Sequence, residues 1–349
     1  MAGASRIEWV DIVKSFAIIL VAIYHTAIIG IPLGLIDPVW EGICVKLAAF
    51  RMPVFFFAAG LFAESVVKRP WKKIWSTRLA LLAWAFLLWT CLRYFYFLTV
   101  PMETRPHETS TMLLLLAPIW PSTGLWFLHA LALFFILTKL LLRVPLAIKL
   151  CVACALSVVF FKLTTGNLSY DGMARYYVFF LGGVYFRDVT LDLNAVPRWR
   201  AAAACTVLFA VVVQVLSSTG LLSMAGSRTV LGAFAILTGC LVARVLDETP
   251  LRRLFIFVGK NTLPIYVLHI IVISALLTLL GAARPDGVPR VAALSLPLLG
   301  ALVVVPLALV VATLSAKAGP LRYLFEAPVW FANLRWQQPE QTQRTSTNV

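Results

Sequence analysis

Apolar runs of about 20 residues recur along this chain, separated by polar joints, and that is the length at which an α-helix crosses the hydrocarbon core of a bilayer. Ten stretches come close enough to count: Ile12 to Ile31, Gly42 to Val66, Thr77 to Thr99, Leu125 to Leu142, Ala147 to Lys162, Asp171 to Arg187, Arg200 to Ser218, Thr229 to Leu246, Asn261 to Leu280 and Val291 to Leu314. Composition agrees with this reading. At 61% hydrophobic residues over 349 positions and a mean hydropathy of +0.91, the chain holds far more apolar surface than a soluble domain needs for its core. Lipid is therefore its solvent, and the expected fold is all-α: a polytopic membrane helical bundle of about ten transmembrane helices. No small-residue cleavage site follows the first run, which reads as an uncleaved helix rather than a secretory signal.

Lys and Arg outnumber Asp and Glu by 30 to 15. Such an excess fits either nucleic acid or a membrane surface. The charges lie between apolar runs rather than in one basic stripe, so the bilayer accounts for them and no nucleic-acid partner is expected. Cytoplasmic segments retain Lys and Arg. With both termini cytoplasmic, that side holds Arg6, Lys14, the cluster Lys68, Arg69, Lys72, Lys73 and Arg78, then Arg143, Arg198, Arg252, Arg253 and Lys317. The opposite loops and helix edges hold Arg105, Lys162, Arg175, Arg228, Arg284 and Arg290. The pattern fits a multi-pass protein of the bacterial inner (plasma) membrane. Most connections are short, but Val100 to Gly124 is a Pro-containing segment long enough to serve as a lid or entrance. The six cysteines are scattered, and Cys151 and Cys154, despite their spacing, read as buried thiols without chemistry.

Ionisable side chains inside hydrocarbon are costly, so each one in a span is a functional candidate. On the first helix Asp11, Lys14 and His25 are offset by 3 and 11 residues, which at about 100° per residue brings all three near one face. His25 stands roughly 16 Å beyond Lys14 along the axis, at a rise of 1.5 Å per residue. The bland account has Lys14 snorkelling to the interface and His25 satisfying a neighbouring helix. Arg51, about nine residues into the second span from the opposite side, reaches a similar depth. Arg51 keeps its charge and must face a carboxylate, a carbonyl dipole or a polar cavity. Pro53, two residues on, breaks the helical ladder and frees a carbonyl that is the bland partner for Arg51. His129 and His269 also fall in spans, and Tyr266 shares a face with His269 at i, i+3. His107, among Glu103, Arg105 and Glu108, reads as a solvated loop residue. No metal site is expected.

These residues carry a resemblance. The run Trp9-Val10-Asp11-Ile12-Val13-Lys14 through Tyr24-His25, then Phe50-Arg51-Met52-Pro53 with its Phe run and Gly60, is similar to acyltransferase family 3, the membrane O-acyltransferases that include fucose 4-O-acetylase-like, Nod-factor and O-antigen acetylases. Weaker echoes follow in Trp126-Phe127-Leu128, in Phe179-Phe180-Leu181-Gly182-Gly183 and in Gly259-Lys260-Asn261-Thr262-Leu263 with Tyr266 and His269. The resemblance implies a transmembrane acyltransferase domain over 1–320, a polar cytoplasmic tail over 321–349, and transfer of an acyl group, usually acetyl from acetyl-CoA, to a hydroxyl of a glycan or lipid-linked sugar. The signature places a basic residue, commonly Arg, eleven positions before the first-helix histidine. Here it is Lys14, which keeps the charge without the planar two-pronged donor. Relatives' paired-arginine motif is answered here by Lys72, Lys73 and Arg78 at a looser spacing.

On this reading His25 is the general base and Arg51 stabilises developing negative charge or holds the acceptor. Asp11, Lys14, Lys72, Lys73 and Arg78 face the acyl-CoA donor, whose phosphates attract cations. Trp126, His129, Asn261, Tyr266 and His269 are acceptor-binding candidates. A transporter or flippase for an envelope metabolite is the rival from another class, since polar stripes and broken helices also suit a substrate pathway. A scaffold for envelope synthesis gives no reason for a His and an Arg at matched depth.

Overall fold

The computed structural model describes residues 7–102, 105–193, 197–284 and 288–333; Arg6, Glu103 and the tail residues 334–349 lie outside the described residues. The described chain is all-helical. Helix α1 (Glu8–Gly30) carries Glu8 and Asp11 in its first turn, where a helix favours negative charge, and then runs through 23 mostly apolar residues. It is followed by α2 (Val39–Lys46) and α3 (Ala48–Gly60), then two short helices, α4 (Glu64–Val67) and α5 (Trp71–Ile74). A π-helical turn at Trp75–Leu79 leads into α6 (Ala80–Thr99). The long segment after α6 holds a 3-10 turn at Pro106–Thr109 and α7 (Thr111–Leu116). Next come α8 (Trp126–Leu140), α9 (Leu146–Phe160), α10 (Leu168–Tyr185), α11 (Arg187–Leu193), α12 (Trp199–Ser218) and α13 (Ser227–Leu246). The chain ends with α14 (Arg252–Lys260), α15 (Thr262–Ala283), α16 (Arg290–Lys317), a 3-10 turn at Gly319–Leu324 and α17 (Val329–Ala332).

Helices stand at all ten positions expected to span. Among the described residues, seven segments are long and apolar enough to cross a membrane: α1, α2–α3 as Val39–Gly60, α5–α6 as Trp71–Thr99, α12, α13, α15 and α16. The other three fall short for physical reasons. Helices α8 and α9 have 15 residues each, about 22 Å of rise against a hydrocarbon core of about 30 Å. Helix α10 has 18 residues but includes Asp171 and Arg175.

Helix α1 is the axis of the bundle, packed against α3, α13, α14, α15 and α16. Some 61% of its apolar stretch is buried inside the protein, against 17% for α12, which packs chiefly on α13. Small residues set the closest crossings. A Cβ on Gly259 would lie 1.8 Å from the Asp11 carbonyl oxygen, so α14 touches the backbone of α1. Gly60 and Gly183 play the same part where α3 crosses α10: a Cβ on either would come within 2.2 Å of the other helix's carbonyl oxygens. The Gly60 and Gly182-Gly183 elements of the family-like pattern therefore sit at a backbone-to-backbone contact, the usual role of small residues between membrane helices.

Three expectations change. The break in the second span falls at Leu47, between α2 and α3, while Pro53 is carried inside α3. Cys151 and Cys154 are exposed on α9 rather than buried. The first residues of the expected polar tail dock on the bundle: the indole N–H groups of Trp84, Trp89 and Trp75 donate to the carbonyls of Tyr323 (2.7 Å), Leu324 (2.7 Å) and Phe331 (3.2 Å).

Candidate functional site

His25 lies five residues before the end of α1, one position after Tyr24, and Arg51 lies in the first turn of α3. The α1–α3 crossing lays the Arg51 guanidinium on the Tyr24 ring, with Cζ 3.7 Å from the centroid. Tyr24 and His25 meet edge to face at 4.8 Å. On the other side of His25, α15 delivers His269, whose ring centroid is 4.9 Å away at an interplanar angle of 50°. Four rings and a guanidinium thus run in series: Arg51, Tyr24, His25, His269 and, at 5.6 Å, Tyr266.

The hydrogen-bonding state of this series is unusual for a membrane interior, where polar groups find partners. His25 Nδ1, Arg51 Nη1 and His269 Nε2 are buried without a hydrogen-bond partner. His269 Nδ1 sits 2.5 Å from the Tyr266 carbonyl, so that nitrogen carries the proton and donates it. Its Nε2 is then a bare lone pair facing the site. Arg51 makes no hydrogen bond or ion pair among the described residues, which excludes the bland account in which it caps its own Pro53-freed carbonyl. The Tyr266 hydroxyl is satisfied: it donates to the Gly124 carbonyl at 2.9 Å and accepts from the Phe127 N–H at 3.2 Å.

A second cluster, not anticipated from the sequence, closes the same end of the bundle. Arg93, on α6, is fully buried and forms a two-pronged ion pair with Glu108 of the segment between α6 and α8, itself 4% exposed. Arg105 reaches the same carboxylate at 3.5 Å, His107 at 3.8 Å, and the Gly124 N–H at 3.4 Å. Glu108 is therefore buried, whereas His107, expected to be solvated, keeps its side chain 37% exposed. Burial alone would push the Glu108 carboxyl upward; the charge and hydrogen bond of Arg93, aided by Arg105, more than offset it and hold the group below the usual carboxylate range. Burial and the neighbouring Arg93 draw Arg105 down to about 10, against the pull of Glu108. Arg51, Arg93 and Arg105 all stand close enough to act electrostatically on His25. The signal for this cluster was in the sequence: Arg93 sits in an apolar run and has to meet an anion.

The remaining candidates fall elsewhere. Trp126 begins α8 beside the site, its ring 6.0 Å from Tyr176 and 6.1 Å from Phe56. His129 is held by Ser169 and the Pro118 carbonyl, each at 3.3 Å, so both its ring nitrogens are engaged. Asn261 donates to the Phe257 carbonyl at 2.8 Å, at the α14–α15 joint, eight residues before His269. Asp11 is buried against α14 and pairs with Lys14 at 2.6 Å. At the α1 N-terminal end, a cleft of about 580 Å³ is lined by residues including Ile7, Ser65, Arg69, Arg78 and Arg187. Arg78 belongs to this cleft, whereas Lys72 and Lys73 are exposed on α5. Among the described residues no group of three or more His, Cys, Asp or Glu side chains is placed to hold a metal ion.

Known proteins bear on this geometry. Inner membrane protein YcfT of Escherichia coli (strain K12) is 28% identical over 159 residues, which is 40% of this chain and 44% of that protein, so the match spans less than half of the relative's length. No solved structure matches the chain. The family described as the acyltransferase domain, acyltransferase 3, matches residues 7–317. That match begins one residue before α1 and ends on the last residue of α16, so it takes in every spanning helix among the described residues, and the chain belongs to the acyltransferase-3 family.

Proposed function

We propose that this protein is a membrane O-acyltransferase of the bacterial inner membrane, moving an acyl group, acetyl in the first instance, from acyl-CoA to a hydroxyl of a cell-surface glycan or lipid-linked sugar. One observation carries the reading: a buried His25 Nδ1 and a buried Arg51 Nη1, both without partners, on adjoining helices joined through Tyr24. A transport pathway gives no reason for a base and a cation to be assembled and left unsatisfied side by side, and the family points to transfer.

Acyl-CoA supplies an activated acyl carbonyl. His25 takes the proton of the acceptor hydroxyl as its oxygen bonds to that carbonyl carbon, and returns it to the sulfur as the carbon–sulfur bond breaks. His25 needs no net change in charge over the cycle. Arg51, fixed on the Tyr24 face and free at Nη1, donates to the acyl oxygen as negative charge gathers there, in a setting of low dielectric that strengthens the interaction. His269, with its Nδ1–H committed to the Tyr266 carbonyl, offers Nε2 as an acceptor that orients the hydroxyl or the His25 ring. Asp11 holds Lys14 on α1 between the two ends of the bundle. The cleft of Arg69, Arg78 and Arg187 suits the donor's phosphates, with Lys72 and Lys73 adding attraction from α5.

The test follows release of free thiol from acetyl-CoA and the mass of the acceptor in membranes carrying the full chain. His25→Ala is expected to lower transfer by about 10²–10⁴-fold, the usual contribution of a positioned general base. Undiminished transfer in that variant removes His25 from the reaction.

A further inference from the structure

We infer that the acceptor of this enzyme is anionic, carrying a carboxylate or phosphate beside the hydroxyl that receives the acyl group, and that Arg51 and Arg105 hold that anion. The inference rests on the transfer reading above and names its substrate class. Its basis is charge balance at the His25 site. Three guanidinium groups, Arg51, Arg93 and Arg105, stand within electrostatic reach of His25, the last two also of His269, and among the described residues only one carboxylate, Glu108, is paired with any of them. Glu108 is committed to Arg93 through two hydrogen bonds and reaches Arg105 only at 3.5 Å. Arg51 has no anion at all among those residues, only the Tyr24 ring. Uncompensated cations in a site walled by hydrocarbon are costly and persist where a ligand supplies the missing charge.

The unsatisfied donors point the same way. Arg51 Nη1 and Arg93 Nη1 are buried with no partner. A guanidinium can only donate, so what completes it is an acceptor oxygen, and a carboxylate or phosphate offers several.

An independent observation lies in the distribution of charge. Loops opposite the cytoplasm are usually poor in Arg and Lys. Here Arg105 stands within electrostatic reach of His25, while Arg290 pairs with Asp37. Beyond Tyr176, which stands within electrostatic reach of Arg51 and Tyr24, a small cleft of about 60 Å³ is lined by Lys46, Arg175 and Arg228. Arg175 has Asp171 at 3.8 Å, and Lys46 donates to Gln214, a neutral partner. A run of cations from this cleft to Arg51 suits an acidic chain better than a neutral one.

The experiment uses the purified full chain in nanodiscs of zwitterionic lipid at fixed ionic strength, with no acyl donor present, so that a site needed only for developing charge gives no signal. Binding is measured for methyl β-D-glucuronide, glucose 6-phosphate and methyl β-D-glucoside. At least one anionic ligand is expected to bind about tenfold or more tightly than the neutral glucoside, and Arg105→Gln is expected to erase most of that preference while Arg105→Lys keeps part of it. A response to the glucuronide alone assigns an acidic sugar, and a response to the phosphate alone assigns a phosphorylated one. Equal affinity for the neutral and both charged ligands in the wild-type chain overturns the inference, and that comparison stands even if a variant misfolds. Anion binding without any thiol release from acetyl-CoA leaves the anion site of Arg51 and Arg105 standing and defeats the transferase reading. Equally efficient transfer to neutral and anionic glycosides does the reverse.

Discussion

Arg93 and Glu108 show how a single side chain commits the structure around it. A guanidinium with no solvent exposure in a membrane helix requires an anion, and the segment between α6 and α8 folds inward to bring one. Removing one partner of a buried ion pair strands the other, so Glu108→Gln is expected to lower stability by about 3–5 kcal/mol in detergent unfolding, and the double change Arg93→Leu with Glu108→Leu to cost less than either single change. The pair also sets a pH response. Because the folded carboxyl titrates below its ordinary value of 4.5, its contribution is complete above that value and is lost as pH falls through the depressed folded one. Hydrogen exchange over residues 105–124 should therefore stay protected from pH 7 down to 4.5 and open only in stronger acid. In the sequence Arg93 lies within an apolar run, but nothing there marks its partner. Fifteen residues and a loop separate the two, and no periodicity links them.

Between elements, the decisive contacts are made by residues with no side chain. Gly259 lets α14 rest on the Asp11 carbonyl of α1, and Gly60 with Gly183 lets α3 and α10 touch. The obstructing atoms are backbone and cannot rotate away. Gly183→Val and Gly259→Val are expected to cost at or above the ~3 kcal/mol top of the usual overpacking range, read as a lower midpoint of thermal unfolding in detergent. Gly259→Val should also reduce acyl transfer, since α14 leads directly into the helix that carries His269. The sequence displayed these glycines inside recognisable motifs, yet not which helix each one meets. The Pro53 kink expected for the second span was likewise a local inference, and the break came instead at Leu47, beyond which α3 packs on α10 and α13 as well as α1, whereas α2 meets α1 and α12.

Across the whole molecule the two proposed sites stand at opposite ends of α1. From Ile7 at the basic cleft to His25 is 18 residues, about 27 Å of helix rise, so donor phosphates at one end and an acceptor at the other are compatible with an acyl arm lying along α1. This arrangement requires the cleft to face the cytoplasm. In a chain freed of its native cysteines, Lys73→Cys is expected to react with a membrane-impermeant maleimide only after cells are opened, and Ser223→Cys, between α12 and α13, to react in intact cells. The opposite pattern would overturn the orientation and with it the assignment of donor and acceptor ends.

The sequence by itself determined the solvent, the helical class, the approximate place of each long helix and a short set of candidate ionisable residues, His25, Arg51 and His269 among them. Hydrocarbon imposes its demands locally, as run length and as the cost of a charge within a run, and such demands can be read along one dimension. Only the tertiary structure decided that Arg51 lies on Tyr24, that His269 meets His25, that Glu108 answers Arg93, and that His129 and Asn261 are occupied elsewhere. Those pairings depend on where helices distant in sequence cross, and in a bundle whose lipid-facing and partner-facing surfaces are equally apolar, the crossings are set by the fit of small residues and buried charges rather than by any pattern along the chain.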